Sequence, residues 1–198
     1  MVSEYIGFVS WIEEPAEIKN LNLEDAVMYS SSTWPGQGLF VGTMSGGSVI
    51  NCTTDAACSI KSAEDIGGIV GYNDGGIVSD CTNYADVIGD IAGGVVGFNV
   101  GTVSNCKNYG NVTGRQIGGV VGNDEFGEIL NCTNYGKVIY EAYGAIVHQD
   151  CAGGVIGYCH GTENYSGIEN KGEVTSNGNC EYIGNLIGYI ATTESPLN

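Results

Sequence analysis

A glycine-centred segment that returns along the chain limits what this protein can fold into more than any other feature of its sequence. IGGIVGY at 66–72 comes back as IAGGVVGF at 91–98, IGGVVG at 117–122, AGGVIGY at 152–158 and IGNLIGY at 183–189. GLFVG at 38–42 is an earlier relative and IGFVSW at 6–11 a worn one. A second block follows each copy: SVINCT at 48–53, IVSDCTNYADV at 77–87, TVSNCKNYGNV at 102–112 and EILNCTNYGKV at 128–138. EIKNLNLEDAV at 17–27 and GIENKGEV at 167–174 fill the same slot. The matching glycines Gly67, Gly93, Gly118, Gly153 and Gly184 stand 26, 25, 35 and 31 residues apart. The unit is therefore about 25 residues, with insertions looped out of the later copies.

Each strand-like piece is short and ends in Gly, Asn or Asp, and no helical periodicity separates the pieces. A unit this short cannot bury its own apolar face, whereas stacked copies bury a continuous one. The sequence thus predicts an all-β, single-stranded parallel β-helix (a β-solenoid). It would have about six coils of roughly 25 residues, right-handed, on a three-sheet cross-section. One domain is expected, with residues 1–37 as an N-terminal coil and cap, 38–190 as the repeats and 191–198 as a tail. Propeller blades need about 40–45 residues and are excluded. Glycine is abundant, at 33 residues, but no three-residue period accompanies it, which excludes collagen.

Four of the eight cysteines, Cys52, Cys81, Cys106 and Cys132, share one repeat position, which Leu21 and Ile168 occupy in other copies. A slot that takes Leu, Cys and Ile is an inward apolar slot, so these residues form a structural core ladder of free thiols. Cβ atoms one strand spacing apart are too distant for an unstrained disulfide. Cys58, Cys151, Cys159 and Cys180 lie outside the ladder, and composition leaves their redox state open. No CxxC pair supports zinc.

Asn83-Tyr84, Asn108-Tyr109 and Asn134-Tyr135 follow the cysteine slot. Stacked Asn side chains would satisfy turn backbone and one another. Aligned Tyr rings are read as a structural stack, with a sugar-binding platform as the functional alternative. The paired glycines provide either a positive-φ corner or close backbone packing; no helix or GK[ST] follows them, which excludes a phosphate loop. Thr53, Thr82 and Thr133 align, but Lys107 breaks a flat ice-binding row.

No residue stands out as catalytic. His148 and His160 lie near Asp150, Cys151 and Cys159, without the ordering a triad needs. Polysaccharide lyases need cationic charge, and the sequence has a single arginine, Arg115. Hydrolases need two carboxylates across a cleft, and no acidic pair forms a motif. Asp124, Glu125 and Glu128 are a weak calcium candidate; otherwise neither metal nor cofactor is implied. The later insertions, at 122–128, 139–151 and 175–181, are expected to protrude and form a binding face. Its candidate binding residues are Asp124, Glu125, Phe126, Tyr140, Tyr143, His148 and Asp150.

Six basic residues against 23 acidic ones give a net charge of −17, which repels nucleic acid and anionic membranes. No apolar run is long enough to insert in a bilayer, and the first residues lack the pattern of a signal peptide. The chain reads as a piece of a larger multidomain protein.

The stretches GGIVGYNDGGIVSDCTNYADV at 67–87 and GGVVGFNVGTVSNCKNYGNV at 93–112 resemble the GLUG motif. That repeat occurs in bacterial surface and secreted proteins, including N-terminal regions of immunoglobulin A1 peptidases of the M26 type. The resemblance implies a β-helical repeat region located extracellularly or at a cell surface. It carries over no catalytic residue, since the peptidases' HExxH is absent here. The expected function is a non-catalytic module for adhesion or ligand presentation, with a host or bacterial surface protein or glycan as partner. A polysaccharide-acting enzyme and a passive stalk are the alternatives.

Overall fold

The computed structural model describes residues 6–31, 36–142, 149–160 and 164–191. Among them every regular element is a strand, and the strand pairs are parallel. They build a β-solenoid of about six turns whose equivalent residues lie about 29 residues apart. One turn runs through Ile66–Gly67, Val70–Asn73, Ile77–Ser79, Thr82–Asn83 and the long strand Asp86–Gly93. These segments stack on their counterparts in four sheets, one seven-stranded, one ten-stranded and two six-stranded.

The register follows the sequence repeat residue by residue. Gly38, Gly67, Gly93, Gly118, Gly153 and Gly184 pair in one row. Cys52, Cys81, Cys106 and Cys132 are wholly buried in one apolar cluster, with Leu21 and Ile168 packed against it. Each of the four thiols donates to the carbonyl two residues upstream, as Cys81 Sγ does to Ser79 at 3.2 Å. All eight cysteines are free thiols.

The cross-section departs from the three-sheet expectation. The residue just before each ladder position has a left-handed backbone: Asn20, Asn51, Asp80, Asn105 and Asn131 have φ of 52–56°, and Gly167 has 64°. Asn, Asp and Gly are the residues that accept this conformation cheaply. The corner they make separates Ile77–Ser79 from Thr82–Asn83 and adds a fourth side.

A second row explains the paired glycines. Asn83, Asn108 and Asn134 are fully buried. Nδ2 of Asn83 donates to Asn108 Oδ1 and Asn108 to Asn134, each at 2.9 Å, and Asn134 donates on to Asn170. Each also donates to the carbonyl two residues ahead. These amides reach the opposite corner of the coil, where a Cβ on Gly68 would sit 2.5 Å from the Asn83 side chain and one on Gly94 2.3 Å from Asn108. The first glycine of each pair lies against backbone, with 1.9 Å separating a Cβ on Gly93 from the Val96 carbonyl. Neither glycine has a positive φ, so close packing is what both provide.

A chord drawn from Asn83 to Gly68 leaves Ile69, Val70, Val78 and Cys81 on one side and Ala85, Val87 and Ala92 on the other. The buried apolar residues fall into these same two clusters. The interior is two apolar strips with an amide row between them. A second row, Asn73 to Asn99 (2.8 Å) to Asp124 (2.6 Å), runs beneath the turn after Val70–Asn73.

Two glycine substitutions separate these constraints. Gly93→Ala should cost more than about 3 kcal/mol or prevent folding, because backbone on both sides would have to move. Gly75→Ala has φ of +83° but open space around it, and should cost about 1 kcal/mol. Urea unfolding followed by circular dichroism measures both.

Candidate groove between two sheets

The seven-stranded sheet packs closely against the end of the ten-stranded sheet. Glycines make the closure possible: a Cβ on Gly71 would lie 2.0 Å from the Gln37 nitrogen, and one on Gly97 2.6 Å from the Ile66 nitrogen. Outside this closed line the two sheets form the walls of a groove along the solenoid axis. One wall carries the row Tyr72, Phe98, Asn123, Tyr158 and Tyr189. The other carries Ile91, Gln116, Cys151 and Tyr182 in register, with Asp65 one residue before Ile66, which pairs with Ala92.

Each coil thus contributes one facing pair, always seven residues apart: Asp65 with Tyr72, Ile91 with Phe98, Gln116 with Asn123, Cys151 with Tyr158 and Tyr182 with Tyr189. The last pair is in ring contact, with centroids 4.5 Å apart. Tyr72 and Phe98 stack face to face at 4.8 Å, and Tyr158 tilts on Tyr189 at 5.4 Å. Against the second of these groups lies a cavity of about 300 Å³ lined by Gln116, Asn123, Glu125, Gln149, Tyr158 and Tyr189.

Asp65 is 7 % exposed in its wall. Burial, followed by the neighbouring charges of Glu64, Asp90 and Glu125, raises its carboxyl to about 7. Burial and then the nearby acids, Asp65 among them, also push the Tyr72 phenol up. The groove is therefore aromatic and acidic.

The sequence-derived binding residues are placed differently. Residues 122–128 do not protrude, because Val121–Glu125 and Glu128–Leu130 are in-register strands. Asp124 is buried, accepting from Asn99 on Oδ1 and from Tyr165 on Oδ2 (2.8 Å), and burial raises its carboxyl. Both oxygens being committed inward, it does not converge with Glu125 and the exposed Glu128 on calcium. Among the described residues no three His, Cys, Asp or Glu side chains form a metal-sized cluster. Phe126 is exposed, edge-on to His160 at 5.1 Å. Tyr140 is buried, and its hydroxyl donates to Asp150 Oδ2 at 2.8 Å. Asp150 in turn holds the buried Arg115, whose Nε and Nη2 donate to Oδ1 at 2.9 and 2.7 Å. Tyr143 and His148 lie outside the described residues. Of the expected set, Glu125 alone lines the groove.

A second hollow, of about 470 Å³, lies beside Tyr29, Lys61, Ile88, Asp90 and Arg115. Its guanidinium is committed to Asp150, so the hollow has no charge to offer a ligand from that side chain. The stacked Tyr84, Tyr109 and Tyr135 lie elsewhere, with centroids 4.8 and 4.5 Å apart and planes within 9°. Their faces cover one another, and Lys171 sits 5.1 Å from the Tyr135 ring. They present edges to solvent, as a structural stack does.

The turn that begins this groove also carries the recognisable repeat. Residues 62–88 match the family model described as the GLUG motif. The matched stretch is one full coil, holding the glycine pair, Cys81, the Asn83 amide and the facing pair Asp65 and Tyr72. Searches of curated proteins and of solved structures returned no match. The groove residues beyond Glu125 escaped the sequence reading, although the third position of VGY, VGF, VGN and IGY marks one wall. Nothing in the repeat marks the wall opposite.

The buried carboxyl sets a pH dependence. An unfolded Asp titrates near 3.9, so between about pH 4 and 7 the folded state keeps a proton that the unfolded chain has lost. Stability from this group is complete below about pH 4 and falls as pH rises through 7. Asp65→Asn should flatten a decline of about 2–4 kcal/mol across that window, read as melting temperature against pH.

Proposed function

We propose that this chain is a non-catalytic extracellular repeat module that binds glycan along the groove between the two sheets. The supporting observation is the lining: a half-exposed row that carries a ring in four of five coils faces a wall in which Asp65 and Gln116 are buried polar groups. Aromatic faces and fixed polar atoms are how proteins hold ligands that carry both apolar faces and hydroxyls. Strands in a sheet repeat at about 4.8 Å, close to the rise of one sugar in an extended β-linked chain. Successive sugars would therefore meet successive coils. The acidic walls and the net charge of −17 favour uncharged over uronate-rich chains. The GLUG motif supports placement at a bacterial surface, where such binding is adhesion.

Isothermal titration with uncharged hexasaccharides (cello-, xylo-, manno- and chito-hexaose) tests this reading. Binding by at least one is expected, with affinity at least tenfold weaker in Tyr158→Ala and unchanged in Tyr109→Ala. Absence of binding to all four would leave the stalk as the better account. Release of reducing ends, lost in both Asp65→Asn and Glu125→Gln, would replace binding by hydrolysis.

A further inference from the structure

Two rungs of the row carry no ring, Asn123 within the groove and Thr43, which pairs with Tyr72 and Trp11 on the same sheet. On the seven-stranded sheet the row reads Tyr72, Phe98, Asn123, Tyr158, Tyr189, so Asn123 stands where its neighbours carry rings. Its partner across the groove, Gln116, is also an amide, between Ile91 and Cys151 on its own wall. Both are buried, at 7 % and 3 % exposure. Asn123 Oδ1 has no hydrogen-bond partner. The Oδ1 atoms of the buried Asn73, Asn83, Asn99, Asn108 and Asn134 all accept a hydrogen bond, whereas Thr43 Oγ1 and Ser62 Oγ share the orphaned state of Asn123 Oδ1. A buried acceptor left unpaired is costly and is retained where something else supplies the donor.

We infer that this rung is a single-sugar subsite, in which an uncharged pyranose ring lies against Tyr158 in the cavity and donates a hydroxyl to Asn123 Oδ1. The inference rests on the glycan reading above and assigns where that binding is centred. Three features select this ligand. Tyr158 and Tyr189 line the cavity and offer aromatic surface to a ring face. The cavity beside Asn123, about 300 Å³, is of single-sugar size. Its polar lining from Gln116, Glu125 and Gln149 offers both donors and acceptors to a ring of hydroxyls, and the Glu125 carboxylate disfavours an anionic sugar.

Two substitutions at one position test the assignment by titration with the same four hexasaccharides. Asn123→Phe would complete the aromatic column and remove the orphan acceptor. It is expected to keep or raise the melting temperature while weakening binding at least tenfold. Asn123→Ala leaves the slot open and removes only the acceptor, with a smaller loss of about three- to tenfold expected at unchanged fold. If Asn123→Phe fails to fold, Asn123→Ala carries the test alone. Wild-type affinity in Asn123→Ala, or in a folded Asn123→Phe, would overturn the subsite. A simultaneous loss in Tyr158→Ala would leave the groove reading standing. A wild-type chain that binds none of the four would overturn both.

Discussion

Every coil of this protein lies directly on a copy of itself, and that in-register parallel stacking governs the rest of the structure. Neighbouring coils are one strand spacing apart, so a side chain at a corner meets its own equivalent above and below. Only groups that tolerate their own likeness at that distance persist there. Amides donate to amides, as from Asn83 through Asn108 to Asn134, and rings lie on rings, as in Tyr84, Tyr109 and Tyr135. At the tightest corner, where the amides arrive from across the coil, only glycine fits.

The same constraint explains the cysteines. The slot between a left-handed corner and the amide row is narrow, and Cys fills it as a small apolar group that also donates to a local carbonyl. Hydrogen bonding with Cys81 and burial hold the Cys52 thiol above its ordinary value, and burial does the same for Cys151. The same hydrogen-bonded row lowers the Cys81 thiol, to which Cys106 and Cys52 donate, and all of these thiols are buried in the core. The groove proposed to bind glycan lies outside that core, where two sheets meet.

Two aromatic rows with similar spacing thus have different meanings. In the Tyr84 row the rings are consecutive, their faces mutually covered, and the sequence announces them. In the groove row the succession is interrupted at Asn123, a buried amide beside a cavity that Tyr158 also lines. The GLUG match, at residues 62–88, covers only the first facing pair of that groove. The motif describes how a coil closes and stacks. It does not describe the rung at which this chain departs from its own repeat.

The sequence by itself determined the parallel stack, the glycine register, the buried cysteine ladder and the Asn and Tyr rows, because periodicity reports directly on which residues are neighbours along the axis. It did not determine what faces what across a coil. That depends on bend angles at corners such as Asp80 and on the close approach of Gly71 to Gln37, which no repeat spacing encodes. For that reason the fourth sheet, the inward turn of Asp124 and the capture of Tyr140 and Arg115 by Asp150 emerged only in three dimensions. The meeting of Gln116 and Asn123 is of the same kind: seven residues apart in sequence, the two line one cavity only because their sheets close on each other.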